Sequence, residues 1–202
     1  MKFTIDKSLA ELGITSVVLG IARNVDPQAP LSEAFLQKQK EAENWALNCN
    51  LTEITDHPTI QGYCDLLQKV GRSVKKNPPT VPALIRNIQH RGSIPRINSV
   101  IDIYNVESLH SLLAIGGHDL DKIGDEIEFT VSQKDDIFLP ILSKEKHVAP
   151  TENLPVQMPL EMKKASLLGL MSVTATFINL MIAPKMPFSL SKEMPIHLSK
   201  CV

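Results

Sequence analysis

Three arginines, Arg86, Arg91 and Arg96, recur at five-residue intervals, with His90 among them. Directly after them Asn98, Asp102 and Asn105 recur at spacings of four and three. The first group is chemistry for anions, since a guanidinium grips phosphate oxygens by charge and by paired N–H donors. The second group is chemistry for orienting a polar ligand: two amides and a carboxylate supply donors and acceptors. Asp102 stands inside the apolar run SVIDIY, so burial would oblige it to accept hydrogen bonds. Two readings of this row stand. It is a structural network that caps loops or helix ends from inside, or it lines a small-molecule pocket. The arginines are a solvated basic surface, or they contact an RNA backbone, with Arg96 near enough to steer a charged 3′ end toward that pocket.

Elements must position these groups. On a helix, Asn98, Asp102 and Asn105 would share one face. The segment Ser93 to Asn105 is ambiguous by pattern, and ESLHSLLA (107–114) is helix-like. Gly116-Gly117 predicts a tight turn before a strand at 120–123. EIEFTV (126–131) alternates with period two and predicts a strand, Asp135-Asp136 turns the chain, and IFLPIL (137–142) predicts another strand. Upstream, residues 3–5 and 14–21 predict two strands around a short loop, the second buried on both faces because it is continuous and β-branched. After a turn-rich break at 24–30, three helices are expected. The first covers 31–48, starts at Ser32 and buries Trp45 as a core anchor. The second covers 60–70, turns Tyr63, Leu66, Leu67 and Val70 inward and stops at Gly71. The third covers 80–90 with Pro82 in its first turn. Lys75 and Lys76 lie between the last two, as a solvated loop or a phosphate grip.

Bulk composition narrows the class. The 202 residues suit one domain with an extension, and the formal net charge of −1 gives no global basic footprint. Cys49, Cys64 and Cys201 form no CxxC pair, which argues against a disulfide framework and a zinc site and fits a reducing cytoplasm. The N-terminal MKFTIDKSLAEL carries charges where an export signal needs an apolar run. There is no GxGxxG, GxxxxGK[ST], HExxH or GxSxG, so no cofactor is expected. His110 and His118 with Asp119 and Asp121 read as solvated loop residues rather than a metal site.

Composition changes after Pro150. Every methionine except Met1 lies between Met158 and Met194, and no Arg, Asp, Tyr or Trp follows Pro150. Residues 165–183 are an uncharged run of about 19, near the length that spans a bilayer. A membrane anchor, a buried helix and a shifted reading frame are the three readings of this tail, with a membrane partner the least expected. The division expected is 1–150 for the folded module and 151–202 for an atypical tail.

The segments IPRINSVIDIYNVESL and GGHDLDKIGDEIEF resemble the B3/B4 domain, the tRNA-binding and editing module of the bacterial phenylalanyl-tRNA synthetase beta subunit. They are more similar still to free-standing proteins made of that module alone. Asn98, Val100-Ile101-Asp102 and Tyr104-Asn105 follow the family's order, and Gly116-Gly117-His118-Asp119 fills its turn. The resemblance covers about Ser16 to Pro150 and implies an α+β fold, a mixed α/β single domain with an atypical C-terminal part. It implies a pocket for an aminoacyl group lined by Asn98, Asp102, Tyr104, Asn105, Gly116, Gly117 and His118, and RNA contacts from Arg86, Arg91 and Arg96. The implied partner is tRNA or aminoacyl-tRNA, not DNA. The implied activity is tRNA binding, with hydrolysis of mischarged aminoacyl-tRNA in trans as its finer form. A non-catalytic module for an amino acid or RNA is the alternative. Tyr104 stands where the synthetase has Thr, so the pocket and substrate should differ.

Overall fold

The computed structural model describes residues 2–122, 126–131, 137–138, 147–148, 155–159 and 175–184. The chain is a mixed α+β fold. Strand β1 (Lys2–Ile5) leads into a short helix α1 (Ser8–Glu11), which Asp6 starts by accepting from the Ser8 backbone N–H at 2.7 Å. A helical turn therefore fills the loop expected between the first two strands. Strand β2 (Ile14–Val25) follows, then five helices: α2 (Glu33–Asn48), α3 (Leu51–Asp56), α4 (Pro58–Lys69), α5 (Thr80–Arg91) and α6 (Ser99–Ser111). Strands β3 (Ala114–Asp119), β4 (Glu126–Val131), β5 (Ile137–Phe138), β6 (His147–Val148), β7 (Pro155–Pro159) and β8 (Ala175–Pro184) complete the order.

The described strands form two three-stranded sheets and one small pair. In the first, β4 lies between β1, which is parallel to it, and β7, which is antiparallel. In the second, β8 lies between β2 and β3 and runs antiparallel to both. β5 pairs with β6. The strand at 137–142 is seen at 137–138, and the Asp135-Asp136 turn and residues 139–142 lie outside the described residues.

Local chemistry explains the helix starts. Ser32 Oγ accepts from the Phe35 N–H, Asn50 Oδ1 from Thr52 N–H, and His57 Nδ1 from Thr59 N–H. Each satisfies a donor that the first helical turn leaves open. Helix α3 has no apolar period and its cap is the one sign of it. Gly71 (φ 72) and Gly92 (φ 80) take the left-handed conformation after α4 and α5, which glycine adopts without penalty.

The main core is helical: Ala42 and Ala46 of α2, Ile60, Tyr63 and Cys64 of α4, Val81, Ile85 and Ile88 of α5, and Val106 and Leu109 of α6 pack together. Trp45 is not its anchor. It is 39 % exposed, because the two alanines and Gln39 form the inner face of α2. Gln89 of α5 fastens that contact by donating to the carbonyls of Ala46 and Cys49. A second core joins the sheets, with Leu9, Ile14 and Phe129 buried against Phe3, Leu12, Val17, Leu19 and Leu66.

Four further expectations are corrected. β2 is longer than expected and is covered differently along its length. Val17 and Leu19 face the second core, Ala22 and Val25 face Val100 and Tyr104 of α6, and Val18 and Ile21 are exposed. An unbroken apolar run thus arises from cover on opposite faces at the two ends. Gly116-Gly117 is not a turn: both residues lie inside β3, opposite Leu180 and Asn179. The turn comes earlier, where Leu112 (φ 58) ends α6 in the left-handed region. Residues 120–122 form a 3-10 turn rather than a strand, begun by Asp119 Oδ1 accepting from Asp121 N–H at 3.0 Å; Ile123 lies outside the described residues. Finally, residues 175–183 are not helical. They belong to β8, and Thr176, Phe177, Ile178 and Ile182 are residue types that favour a pleated strand. Residues 165–174 lie outside the described residues, and among those described no helix is long and apolar enough to cross a membrane.

Candidate functional site

The Asn/Asp row begins at the N-cap of α6 and continues on it: of the segment the sequence left ambiguous, residues 93–98 are the connection from α5 and residues 99–105 are helical. Asn98 caps it: its Oδ1 accepts from Ile101 N–H at 3.0 Å and its carbonyl accepts from Asp102 N–H at 2.8 Å. Ser99 fixes the same end to the loop after β2, donating both its N–H and its hydroxyl to the Pro27 carbonyl at 3.0 Å. The helix start is therefore held by side chains on the helix and by a buried proline from outside it.

Asp102 is buried, with a side chain 6 % exposed, and both of its oxygens are used. Oδ1 accepts from Ile97 N–H at 3.0 Å, and Oδ2 lies 3.6 Å from the Arg96 guanidinium. The carboxylate thus braces the connection between α5 and α6 from beneath. A second carboxylate does the same three residues earlier in that connection. Glu43 of α2 accepts from Ile94 N–H at 2.7 Å, and the Ile94 side chain is buried in the helical core. Between the two braces the chain presents Arg96 and Ile97 outward, 58 % and 61 % exposed. Sequence reading missed Glu43, which carries no motif and lies 51 residues from its partner.

Other candidate residues separate. Successive helical residues turn by about 100°, so Tyr104 faces away from Asp102. It packs with Val100 against Ala22 and Val25 of β2, and burial pushes its hydroxyl pKa up, helped by the Asp102 charge. Asn105 lies near the Asn98–Asp102 face and is half-buried. Gly116 and Gly117 are on β3, exposed, and the His118 backbone continues that strand. Strand β3 is tied to the helical core by Tyr63, whose hydroxyl oxygen accepts from Ala114 N–H at 2.9 Å. Burial pushes the Tyr63 pKa up to about 12.

Arg86 and Arg91 are exposed on α5 and form no ion pair among the described residues. Their five-residue interval separates them by about 140° around the helix, so they flank its outer face rather than forming a stripe. Arg91 instead groups by sequence with Arg96, at the two ends of the braced connection. Among the described residues no group of three or more His, Cys, Asp or Glu side chains could hold a metal.

The family model of the B3/4 domain matches residues 62–180 of this chain. The match takes in α4 through most of β8, and so runs past Pro150, where the resemblance read from the sequence stopped. Nothing among curated proteins or solved structures matches the chain.

Proposed function

Because the chain belongs to the B3/4 domain family, which points to nucleic-acid binding in general, we propose that it binds RNA of the tRNA type through the connection between α5 and α6. Arg91 and Arg96 contact phosphates, and the α6 face bearing Asn105 lies toward the aminoacylated end. One observation carries this reading: Arg96 is mostly exposed, yet its guanidinium is held beside the buried carboxylate of Asp102. A cation fixed in place and open to solvent loses little freedom when a phosphate arrives. Ile97 beside it offers an apolar surface of the kind that a base or ribose covers. The proposal stops at binding, since Asp102 already serves Ile97 and Arg96; release of the amino acid from mischarged tRNA is a separate outcome of the same assay.

The test is a filter-binding titration of tRNA across a range of salt, with Arg91→Gln and Arg96→Gln beside the parent chain. Binding should weaken steeply as salt rises, and each variant should flatten that dependence. A small-ligand module would give a response that salt does not change, and that result would end the RNA reading.

A further inference from the structure

The chain's cations are segregated. Residues 66–101 contain seven Lys or Arg and no Asp or Glu, in a chain of formal net charge −1. This run is the last turn of α4, α5 with the connections at both of its ends, and the first residues of α6. At the C-terminal end Arg91 closes α5 and Arg96 lies in the connection that follows. The connection at the N-terminal end, residues 71–79, carries Lys75 and Lys76, both exposed and without an ion pair among the described residues.

That second connection is braced as well. Arg72 Nη2 donates to Asn77 Oδ1 at 3.0 Å. The N–H groups of Lys76 and Asn77 both donate to the Ser73 carbonyl, at 3.1 and 2.9 Å, and Asn77 Nδ2 donates to the same oxygen at 3.1 Å. Pro79 closes the segment in a buried position. The two lysines therefore project from a closed turn with a fixed backbone. Helix α5 has 12 residues, which at about 1.5 Å each separates the two basic connections by about 18 Å. A helically stacked strand carries one phosphate per about 3.4 Å of helix axis, so that span corresponds to about five of them in a stacked strand.

We propose that the 71–79 turn is a second phosphate contact for the same RNA, with Lys75 and Lys76 engaging the backbone one helix length from Arg91 and Arg96. The inference rests on the RNA-binding reading and specifies its partner further: a strand of about five nucleotides or more, not a single terminal nucleotide. The absence of carboxylates along the run matters here, because a neighbouring acid would neutralise the lysines and repel the strand.

The experiment compares a 12-nucleotide and a 3-nucleotide single-stranded RNA, each titrated between 50 and 200 mM salt, concentrations over which such contacts weaken measurably. For the 12-mer, Lys75→Gln/Lys76→Gln should lower the magnitude of the log K against log salt slope by about 1.4, from two contacts of about 0.7 each. Arg96→Gln should lower it by about 0.7 separately. For the 3-mer the lysine pair should have no effect, and Lys75→Arg/Lys76→Arg should preserve the 12-mer slope. A 12-mer slope that only Arg96→Gln changes would overturn the second contact and leave the RNA reading standing. Equal losses for both lengths would also overturn it, by placing the lysines at the Arg96 contact. A parent chain with no salt-dependent binding overturns both.

Discussion

Asp102 supports Arg96 from below: one carboxylate oxygen stands 3.6 Å from the guanidinium while the other takes the N–H of Ile97. The two interactions separate under mutation. Asp102→Asn keeps an oxygen for Ile97 and removes the charge that holds Arg96, so stability should change by less than about 1 kcal/mol. Asp102→Ala strips the part-buried Ile97 N–H of its acceptor as well and should cost more, about 1–3 kcal/mol. Chemical denaturation of both variants checks this ordering, and equal losses would contradict it.

Glu43 should matter to the same connection from the opposite side. Glu43→Ala removes the acceptor of Ile94 N–H and should cost about 1 kcal/mol, whereas Glu43→Gln retains an oxygen and should cost less. RNA affinity should fall with the alanine variant although Glu43 itself repels phosphate. A rise in affinity would show that charge, not bracing, is what Glu43 contributes.

The chain has two tyrosines, and both ionise above their ordinary value of 10, chiefly because they are buried. Titration of the tyrosinate absorbance should therefore show less than half of the full change at pH 10 while the chain is folded. In Tyr104→Phe the remaining transition should centre on about 12. A folded-state value raised above the unfolded one means stability that is intact below about pH 10 and lost as pH climbs toward 12, in total about 2–3 kcal/mol. Denaturation midpoints that stay level to pH 12 would refute the burial of Tyr63.

Two glycines should respond in opposite directions. A methyl added at Gly116 meets no atom within 4 Å, and its backbone is that of a strand. Gly116→Ala should therefore stabilise by about 0.5 kcal/mol, through reduced freedom of the unfolded chain. Gly92 has φ 80, so Gly92→Ala should destabilise by about 1 kcal/mol. Thermal melts of the pair check both signs, and a loss at Gly116 would return that residue to a turn.

Sequence pattern locates the helices well where a cap and an apolar stripe coincide. Ser32 opens α2, Pro82 lies in the first turn of α5, and Gly71 follows α4. It fails where one residue type serves two geometries. Paired glycines usually mark turns, yet β3 uses Gly116 and Gly117 as strand residues beside β8, and a leucine makes the turn instead. Trp45 has the size of an anchor, but close approach of α2 and α5 selects alanine. The row of Asn98, Asp102 and Asn105 is legible as a shared face. Its division of labour is not, because the groups that occupy Asp102 come from Arg96 and Ile97 on a connection without periodicity. Glu43 is invisible for the same reason, since its partner is a backbone N–H in another part of the chain.

The central strand of the β2-β8-β3 sheet is also the last described strand made. β8 (175–184) separates β2 from β3, so neither of those has its neighbour until the chain has been synthesised past residue 184. During translation the four-helix core can settle early from local contacts, while a 12-residue strand with Val18 and Ile21 bare waits for a partner more than 150 residues away. Premature stop codons anywhere before residue 175 would make that wait permanent, and the orphaned edges would then be free to recruit strands from other chains.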